Sequence, residues 1–302
     1  MTKVLPRYPI YIPSKGRYET CLTAKFLIKD RVPFYLVVEP QEYFHYVAAF
    51  GEEHVLELPF SDQGSVIPAR NWIKAHATDA GHERHWQLDD NIYMIRRRWK
   101  DQRIPAASGV ALRTVEDFVD RYQNIAVAGL NYRMFVVKGA KMVPFFLNCH
   151  VYSCCLILNS LPNEWRGPYN EDTDMCLQVL ADGWCTVLVN AFLIDKVATM
   201  MMKGGNTDEL YFDDGRLKMA RTLERRWPGV VTVNRRFNRP QHVVFDSWKK
   251  FDTPLKLKDD VDLTALPAVN EYGMQLKAKK TPKSKALRDM VSQWEDDHPL
   301  DL

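Results

Sequence analysis

Two adjacent carboxylates, Asp89 and Asp90, follow the apolar approach Trp86-Gln87-Leu88 and precede the amide of Asn91. Read as a buried strand ending at Leu88, this segment sets acidic groups where α/β sheets bind ligands, beyond the carboxyl ends of their strands. Neighbouring carboxylates repel each other and are costly to desolvate. A divalent cation bridging them to a diphosphate would remove that cost, and oxygen ligands suit Mg2+ or Mn2+. Asp89 and Asp90 are therefore the expected metal ligands. Asp-Asp-Asn is also an ordinary turn sequence, so the motif gains meaning only from its surroundings.

A second acidic group lies in Asn170-Glu171-Asp172-Thr173-Asp174-Met175-Cys176-Leu177. Asn170 is placed to cap a helix whose first turn holds favourable negative charge. Three carboxylates within four residues exceed what capping needs. Projecting from a helix start into a shared cleft, Glu171, Asp172 and Asp174 become catalytic candidates, because a carboxylate beside an incoming hydroxyl acts as a general base. His150, beside Asn148 and Cys149, is either a satisfied core histidine or a group near the acceptor. Pro13-Ser14-Lys15-Gly16-Arg17 follows an apolar run, and Ser14, Lys15 and Arg17 suit a base carbonyl or a diphosphate. The alternative is a solvated basic loop. Arg70 and Asn71 follow Pro68 at a helix start, where anions bind. Lys203, next to Gly204-Gly205, is a further diphosphate candidate, or part of a plain turn.

These residues need a scaffold. Apolar runs at Tyr8 to Ile12, Phe34 to Val38, Val55 to Leu58 and Trp86 to Leu88 read as strands. Helical spacing fills the intervals, over Thr20 to Asp30, Gln41 to Phe50 and Ile67 to Ala77. This rhythm predicts βαβ units and a mainly parallel sheet flanked by helices. Val115 to Tyr122 reads as a helix and Ile125 to Leu130 as a strand broken by Gly129. Tyr132 to Lys138 and Pro144 to Leu158 are expected to form a hairpin-like mixed part of the sheet. The six cysteines show no Cys-x-x-Cys spacing, which excludes a zinc ribbon and suggests reduced, packed thiols. A catalytic thiol beside His150 is the minor alternative. No run reaches the roughly 20 apolar residues of a membrane span. The opening residues lack a signal-peptide apolar region, and a cytosolic location is expected.

The ordered motifs resemble those of GT-A glycosyltransferases, enzymes with a Rossmann-like α/β fold. Asp89-Asp90-Asn91 resembles their metal-binding motif, Pro68-Ala69-Arg70-Asn71 their Ala-Arg-Asn helix near the nucleotide sugar, and Glu171-Asp172 their Glu-Asp helix motif. More narrowly, Ile10 through Arg17, Leu88 through Asn91 and Trp227-Pro228 through His242 resemble the TET/JBP-associated glycosyltransferases, found largely in phages. That resemblance implies a nucleotide-sugar donor, UDP-linked by expectation, and an acceptor hydroxyl on 5-hydroxymethylpyrimidine in DNA, with 5-hydroxymethylcytosine the favoured base. It also implies Mn2+ or Mg2+ at Asp89 and Asp90, with Asn91 a departure where many relatives have a third Asp. Pro13, Ser14, Lys15, Arg17, Arg70, Asn71 and Lys203 would face the donor. Asp172 would be the base if the sugar inverts. The setting implied is the cytoplasm of a phage-infected bacterium.

The last third is basic, although the whole chain carries only +3. Arg225, Arg226, Arg235, Arg236, Arg239 and His242 are interleaved with Trp227 and Phe237. Arginine suits phosphate and aromatics stack on bases, so this block is the expected nucleic-acid contact. The expected organisation is a catalytic body over 1–215, a basic extension packed on it over 216–272, and a Lys-rich tail with a short helix over 273–302. Two other readings stay open: a GT-A enzyme with a non-DNA acceptor, and a non-catalytic DNA-binding protein on a degenerate GT-A fold.

Overall fold

The computed structural model describes residues 4–61, 64–100, 102–137, 142–167, 170–197, 215–236, 239–244, 248–271 and 273, with the backbone alone at 215, 216, 236 and 239. The chain opens with strands β1 (Ile10–Pro13), β2 (Tyr35–Val38), β3 (Val55–Glu57) and β4 (Arg84–Leu88). Helices α1 (Leu22–Asp30), α2 (Tyr43–Phe50) and α3 (Ile67–Asp79) alternate with them. There follow β5 (Ile92–Trp99), β6 (Gln102–Pro105), α4 (Ser108–Val119), β7 (Ile125–Tyr132), β8 (Phe145–Leu147), β9 (Cys154–Leu158), α5 (Glu171–Ala181) and β10 (Cys185–Lys196). The last elements are α6 (Gly215–Arg226) and a two-stranded ribbon, β11 (Thr232–Arg236) with β12 (Arg239–Val243).

One ten-stranded sheet runs β3-β2-β1-β4-β9-β7-β10-β5-β6, with β8 paired to β10. The pairings β1–β2, β1–β4, β2–β3 and β7–β10 are parallel, while β9, β5 and β8 run against them. The expected mixed, mainly parallel α/β sheet is what the structure contains. Every residue of β4 is buried, as in a strand covered on both faces. Its polar side chains are therefore bonded internally. Arg84 donates to the Ile125 carbonyl at 3.0 Å, Gln87 Nε2 to the Arg70 carbonyl at 3.0 Å, and Trp86 Nε1 to Glu116 at 2.8 Å.

Three local expectations are corrected. The helix predicted from Val115 begins at Ser108, whose backbone N–H and hydroxyl both donate to Asp30, at 2.9 and 2.7 Å. Gly129 does not break its strand. Its missing side chain admits the partner strand, since a Cβ there would lie 2.3 Å from the Cys154 carbonyl oxygen. The residues from Tyr132 to Leu158 do not form a hairpin: β8 joins β10, while β9 inserts antiparallel between β4 and β7. The β5–β6 hairpin was not anticipated, because Arg96-Arg97-Arg98 interrupts its apolar pattern.

β5 leaves the Asp89-Asp90-Asn91 turn and pairs with the end of β10, setting Ile92 opposite Lys196. Val197 N donates to the Asn91 carbonyl at 3.1 Å, and Asn91 Nδ2 to the Val197 carbonyl at 3.3 Å. The end of β10 is thereby tied to the acidic turn. Residues 253–257 lie against the opposite side: Asn124 and Asn148 donate to the carbonyls of Pro254 and Thr253, at 2.9 and 2.8 Å. No described helix is long and apolar enough to cross a membrane. Lys203 and, apart from Gly273, the expected tail lie outside the described residues.

Glu116 gives the fold a pH signature. Fully buried beneath Trp86, it accepts from Trp86 Nε1 and from the backbone N–H groups of Arg7 and Tyr8. Burial pushes its carboxyl up to about 7 against those donors. A folded-state pKa above the unfolded one means the native state binds the extra proton, so stability from this group falls as pH rises from the ordinary carboxyl range to about 7. The slope is at most about 1.4 kcal/mol per pH unit. Glu116→Gln removes it. Melting temperatures across that window should therefore move in the variant's favour as pH rises, and a constant difference between variant and wild type would refute the assignment.

Candidate functional site

The site is built where β4, α3, α5 and β10 end or begin. Arg70, on the first turn of α3 and 5% exposed, points along the end of β4. Its Nη1 donates to Gln87 Oε1 at 3.1 Å and its Nη2 to Asp89 Oδ1 at 3.1 Å. Its Nε lies 3.5 Å from Glu171 Oε1, an ion pair without hydrogen-bond alignment. One guanidinium thus bridges the two acidic motifs that the sequence separates by about eighty residues. Its other face lies 4.7 Å from the Trp165 ring centroid.

Asp172 stands next to this bridge, with Oδ2 3.3 Å from His150 Nε2 and Oδ1 accepting from Thr173 N at 2.7 Å. Thr173 Oγ1 contacts His150 Nε2 at 3.2 Å and His242 Nε2 at 3.5 Å. Burial works to raise the Asp172 pKa, but the His150 imidazole prevails and holds it below the usual carboxylate range. Glu171 shifts the other way: burial raises it, and Asp172 adds to the rise despite Arg70. His242 is pushed down to about 4 by burial and by His150, so it is neutral at physiological pH. The side chains of Asp89, Glu171 and Asp172 remain 26%, 21% and 20% exposed, open to a ligand.

Lys196 enters from β10. Its pairing with β5 shifts register between Asp195 and Lys196, where Tyr93 is the extra residue on β5, and Lys196 is set opposite Ile92 at the acidic turn. Lys196 Nζ lies 3.0 Å from Asp89 Oδ2, 3.1 Å from Tyr132 Oη and 2.9 Å from Ser153 Oγ. Burial opposes its charge, but Tyr132 and Asp89 more than offset this, and its pKa is raised. Ser153 takes a left-handed backbone, φ 58°, as do Asn148 and Asn170 at φ 56° and 53°. Such strain in non-glycine residues persists only where surrounding contacts impose it, and it gathers at functional sites.

Asp90 faces the other way. Its Oδ1 is paired with Arg17 Nη1, and its Oδ2 accepts from Ser14 Oγ at 2.8 Å. All four oxygens of Asp89 and Asp90 therefore already hold a cationic or hydroxyl donor, and the two carboxylates diverge. As arranged they do not fit a shared divalent ion. Among the described residues no group of three His, Cys, Asp or Glu side chains is set to hold a metal.

Several predicted residues lie elsewhere. Asn71 is tied to the Trp165 backbone through both ends of its amide, at 2.8 and 2.9 Å, and so braces the loop before α5. Lys15 pairs with Glu39 at 3.3 Å, and Pro13 closes β1. Asp174 is fully buried among Arg166, Gln178, Trp227 Nε1 and Arg226, on the side of α5 away from Asp172. Asn170 occupies the cap position of α5 but makes no side-chain cap bond; its amide donates to the Met219 carbonyl at 3.1 Å. Of the basic block, Arg225 and Arg235 are exposed, Arg226 donates to the Arg166 carbonyl, and His242 lies inside the acidic cluster. Arg236 and Arg239 pair with each other at the end of the β11–β12 ribbon. Lys196, Tyr132 and Ser153 were missed. For Lys196 alone a signal was present, since Leu193-Ile194-Asp195-Lys196 is an apolar run ending in charge, like Trp86 through Asp89.

Residues 8–205 match the family model of the TET-associated glycosyltransferase. The chain belongs to that family. It is accordingly a glycosyltransferase by family, and the matched span contains Arg70, Asp89, Glu171, Asp172 and Lys196. No curated protein matches. A solved structure of mannose-1-phosphate geranyltransferase from Thermus thermophilus is similar at 11% identity, over 82% of this chain and 68% of that one, with a TM-score of 0.29.

The Arg70 bridge makes a stability prediction. Removing one partner of a buried ion pair leaves uncompensated charge, at a cost of about 3–5 kcal/mol. Arg70→Ala should lower the urea-unfolding free energy by about that much. Arg70→Lys should recover only part of it, since an ammonium cannot span Gln87, Asp89 and Glu171 as a fork does. A loss below about 1 kcal/mol for Arg70→Ala would show that the bridge is solvated rather than buried.

Proposed function

We propose that this glycosyltransferase moves a sugar from a nucleoside-diphosphate sugar to the hydroxyl of a 5-hydroxymethylpyrimidine in DNA. The observation that carries the reading is the Arg70 bridge, which draws the end of β4 and the start of α5 into one partly exposed cluster. The donor's place in this reading is at the carboxyl ends of β1 and β4, between Arg17, Arg70 and Lys196. The acceptor hydroxyl would approach Asp172, whose ionised carboxylate is oriented by His150 and Thr173. In an inverting transfer the bond from the anomeric carbon to the phosphate oxygen breaks, the acceptor oxygen takes its place, and the hydroxyl proton passes to Asp172. Glu171, whose pKa burial and Asp172 raise, stands beside it against Arg70. Uridine as the nucleoside and cytosine as the favoured base follow from the family resemblance.

A polyanionic acceptor is supported by two basic surfaces. Arg225 and Arg235 are exposed on the elements that carry His242 into the site. On the hairpin leaving the acidic turn, Trp99 is 48% exposed, with the Arg97 guanidinium 4.8 Å and the Lys100 ammonium 5.8 Å from its ring centroid. Cations stacked beside an exposed aromatic ring suit a nucleic-acid strand. The 5-substituent of a pyrimidine already points into the major groove, and flipping the nucleotide would bring its hydroxyl to a recessed donor.

The test combines purified protein, hydroxymethylated and plain DNA, and a panel of nucleotide sugars, followed by mass spectrometry of the released nucleosides. A sugar adduct on the hydroxymethylated base alone is expected. Transfer to a glycan or small hydroxyl compound, with none to DNA, would reject the acceptor. Asp172→Asn should reduce turnover by about 10²–10⁴-fold. Undiminished turnover would remove Asp172 as the base.

A further inference from the structure

We infer that Lys196 supplies, from within the chain, the positive charge that a divalent ion would otherwise bring to the donor diphosphate, so that the nucleotide sugar is bound and cleaved without a metal. The inference rests on the donor reading above and is independent of the acceptor. Three observations carry it.

The carboxylates that would recruit an ion are already neutralised. Asp89 is held by Arg70 at 3.1 Å and Lys196 at 3.0 Å, and Asp90 by Arg17 and Ser14. An entering ion would have to displace three cationic side chains that are themselves largely buried.

Lys196 is also built into its position. An extra residue on the partner strand, Tyr93, sets it opposite Ile92, and its ammonium uses all three donors on Asp89, Tyr132 and Ser153. Its side chain is 10% exposed, and the aromatic face of Tyr132 lies 5.1 Å away. A solvated surface lysine needs none of this. Asp195, the residue before it, is turned to Arg96 and Arg133, so neighbouring side chains on β10 serve separate clusters.

Finally, the ammonium can exchange a partner at little cost. Tyr132 Oη and Ser153 Oγ hydrogen-bond to each other as well as to Lys196. Either hydroxyl can release Lys196 without being left unpaired, which is the costly outcome for a buried polar group. A phosphate oxygen arriving along the exposed side of Asp89 would take the freed donor. When the anomeric carbon–oxygen bond breaks, the electron pair stays on the diphosphate. Lys196 and Arg70 then face the added negative charge in a poorly solvated setting, where such contacts are strongest.

Calorimetric titration with UDP, and with GDP as a second nucleoside diphosphate, tests this in EDTA and in Mn2+. Wild-type protein should bind one of them with the same affinity in both buffers. Lys196→Ala should bind about 10–100-fold more weakly in EDTA, the loss of a charge-assisted hydrogen bond. It should recover in part with Mn2+, because Asp89 is then free to hold an ion. Lys196→Arg should retain metal-free binding. If alanine prevents folding, Lys196→Gln, which keeps hydrogen-bonding capacity but not charge, carries the same comparison. Wild-type binding that requires Mn2+ would overturn the inference. So would unaltered metal-free binding by folded Lys196→Ala, or no binding of either nucleotide in either buffer. Failure to glycosylate DNA while metal-free binding persists would reject the acceptor and leave this inference standing.

Discussion

A guanidinium taken out of water must be matched by carboxylates taken out with it, and Arg70 imposes that condition on the whole carboxyl end of the sheet. Desolvating one charge costs several kcal/mol unless geometry and hydrogen bonding compensate. Arg70 meets this with Asp89 from the end of β4, Glu171 from the start of α5, and the Gln87 amide between them. None of these elements can shift without exposing a charge to an apolar neighbour. The loop before α5 is fixed by the same helix, since Asn71 clamps the Trp165 backbone and Trp165 covers the guanidinium. A rigid frame of this kind is what positioned chemistry requires, because small misplacements are costly in rate.

The acids of α5 show how one helix separates structure from chemistry. At about 100° per residue, Asp172 and Asp174 stand on nearly opposite faces. Asp174 turns inward to Arg166, Gln178 and Trp227 and fastens α6 to the body. Asp172 turns to His150 and the solvent-facing cluster. Between them, Thr173 links His150 to His242, so the ribbon of β11 and β12 reaches the site through a neutral imidazole. Glu171 and Asp172 are adjacent and shifted in opposite directions, the first up by burial and by Asp172, the second down by His150.

What the sequence disclosed follows from the range of the interactions involved. Strands β1 and β2 were legible because burial makes them nearly continuous apolar runs, and the helices that follow keep their period. β5 was not legible, because three consecutive arginines conceal its pattern, Arg96 and Arg98 among them satisfied by partners far along the chain. The two acidic motifs were legible as residue types at strand and helix ends. Their orientation was not: Asn71 and Asp174 sit in the expected segments yet serve packing, while Lys196, Tyr132 and Ser153 are brought together by a bulge and a left-handed residue that no local pattern announces. His242 was legible as part of a basic block, but its partner, Thr173, is 69 residues away.

Asn91 becomes intelligible once the acidic turn is seen as a holder of cations. In a turn built to ligate an ion, an amide in the third place is a weak substitute for a carboxylate. Here its side-chain amide donates to the Val197 carbonyl, while the Asn91 backbone carbonyl accepts from Val197 N. Those two bonds fix the chain one residue beyond Lys196, and the register shift that sets Lys196 opposite Ile92 leaves its ammonium on Asp89. A carboxylate at position 91 would be repelled by that carbonyl, loosening the strand end that carries the lysine. An amide at the third place and a lysine at the end of β10 are thus two parts of one arrangement, in which the positive charge of the site is carried by side chains anchored in the sheet.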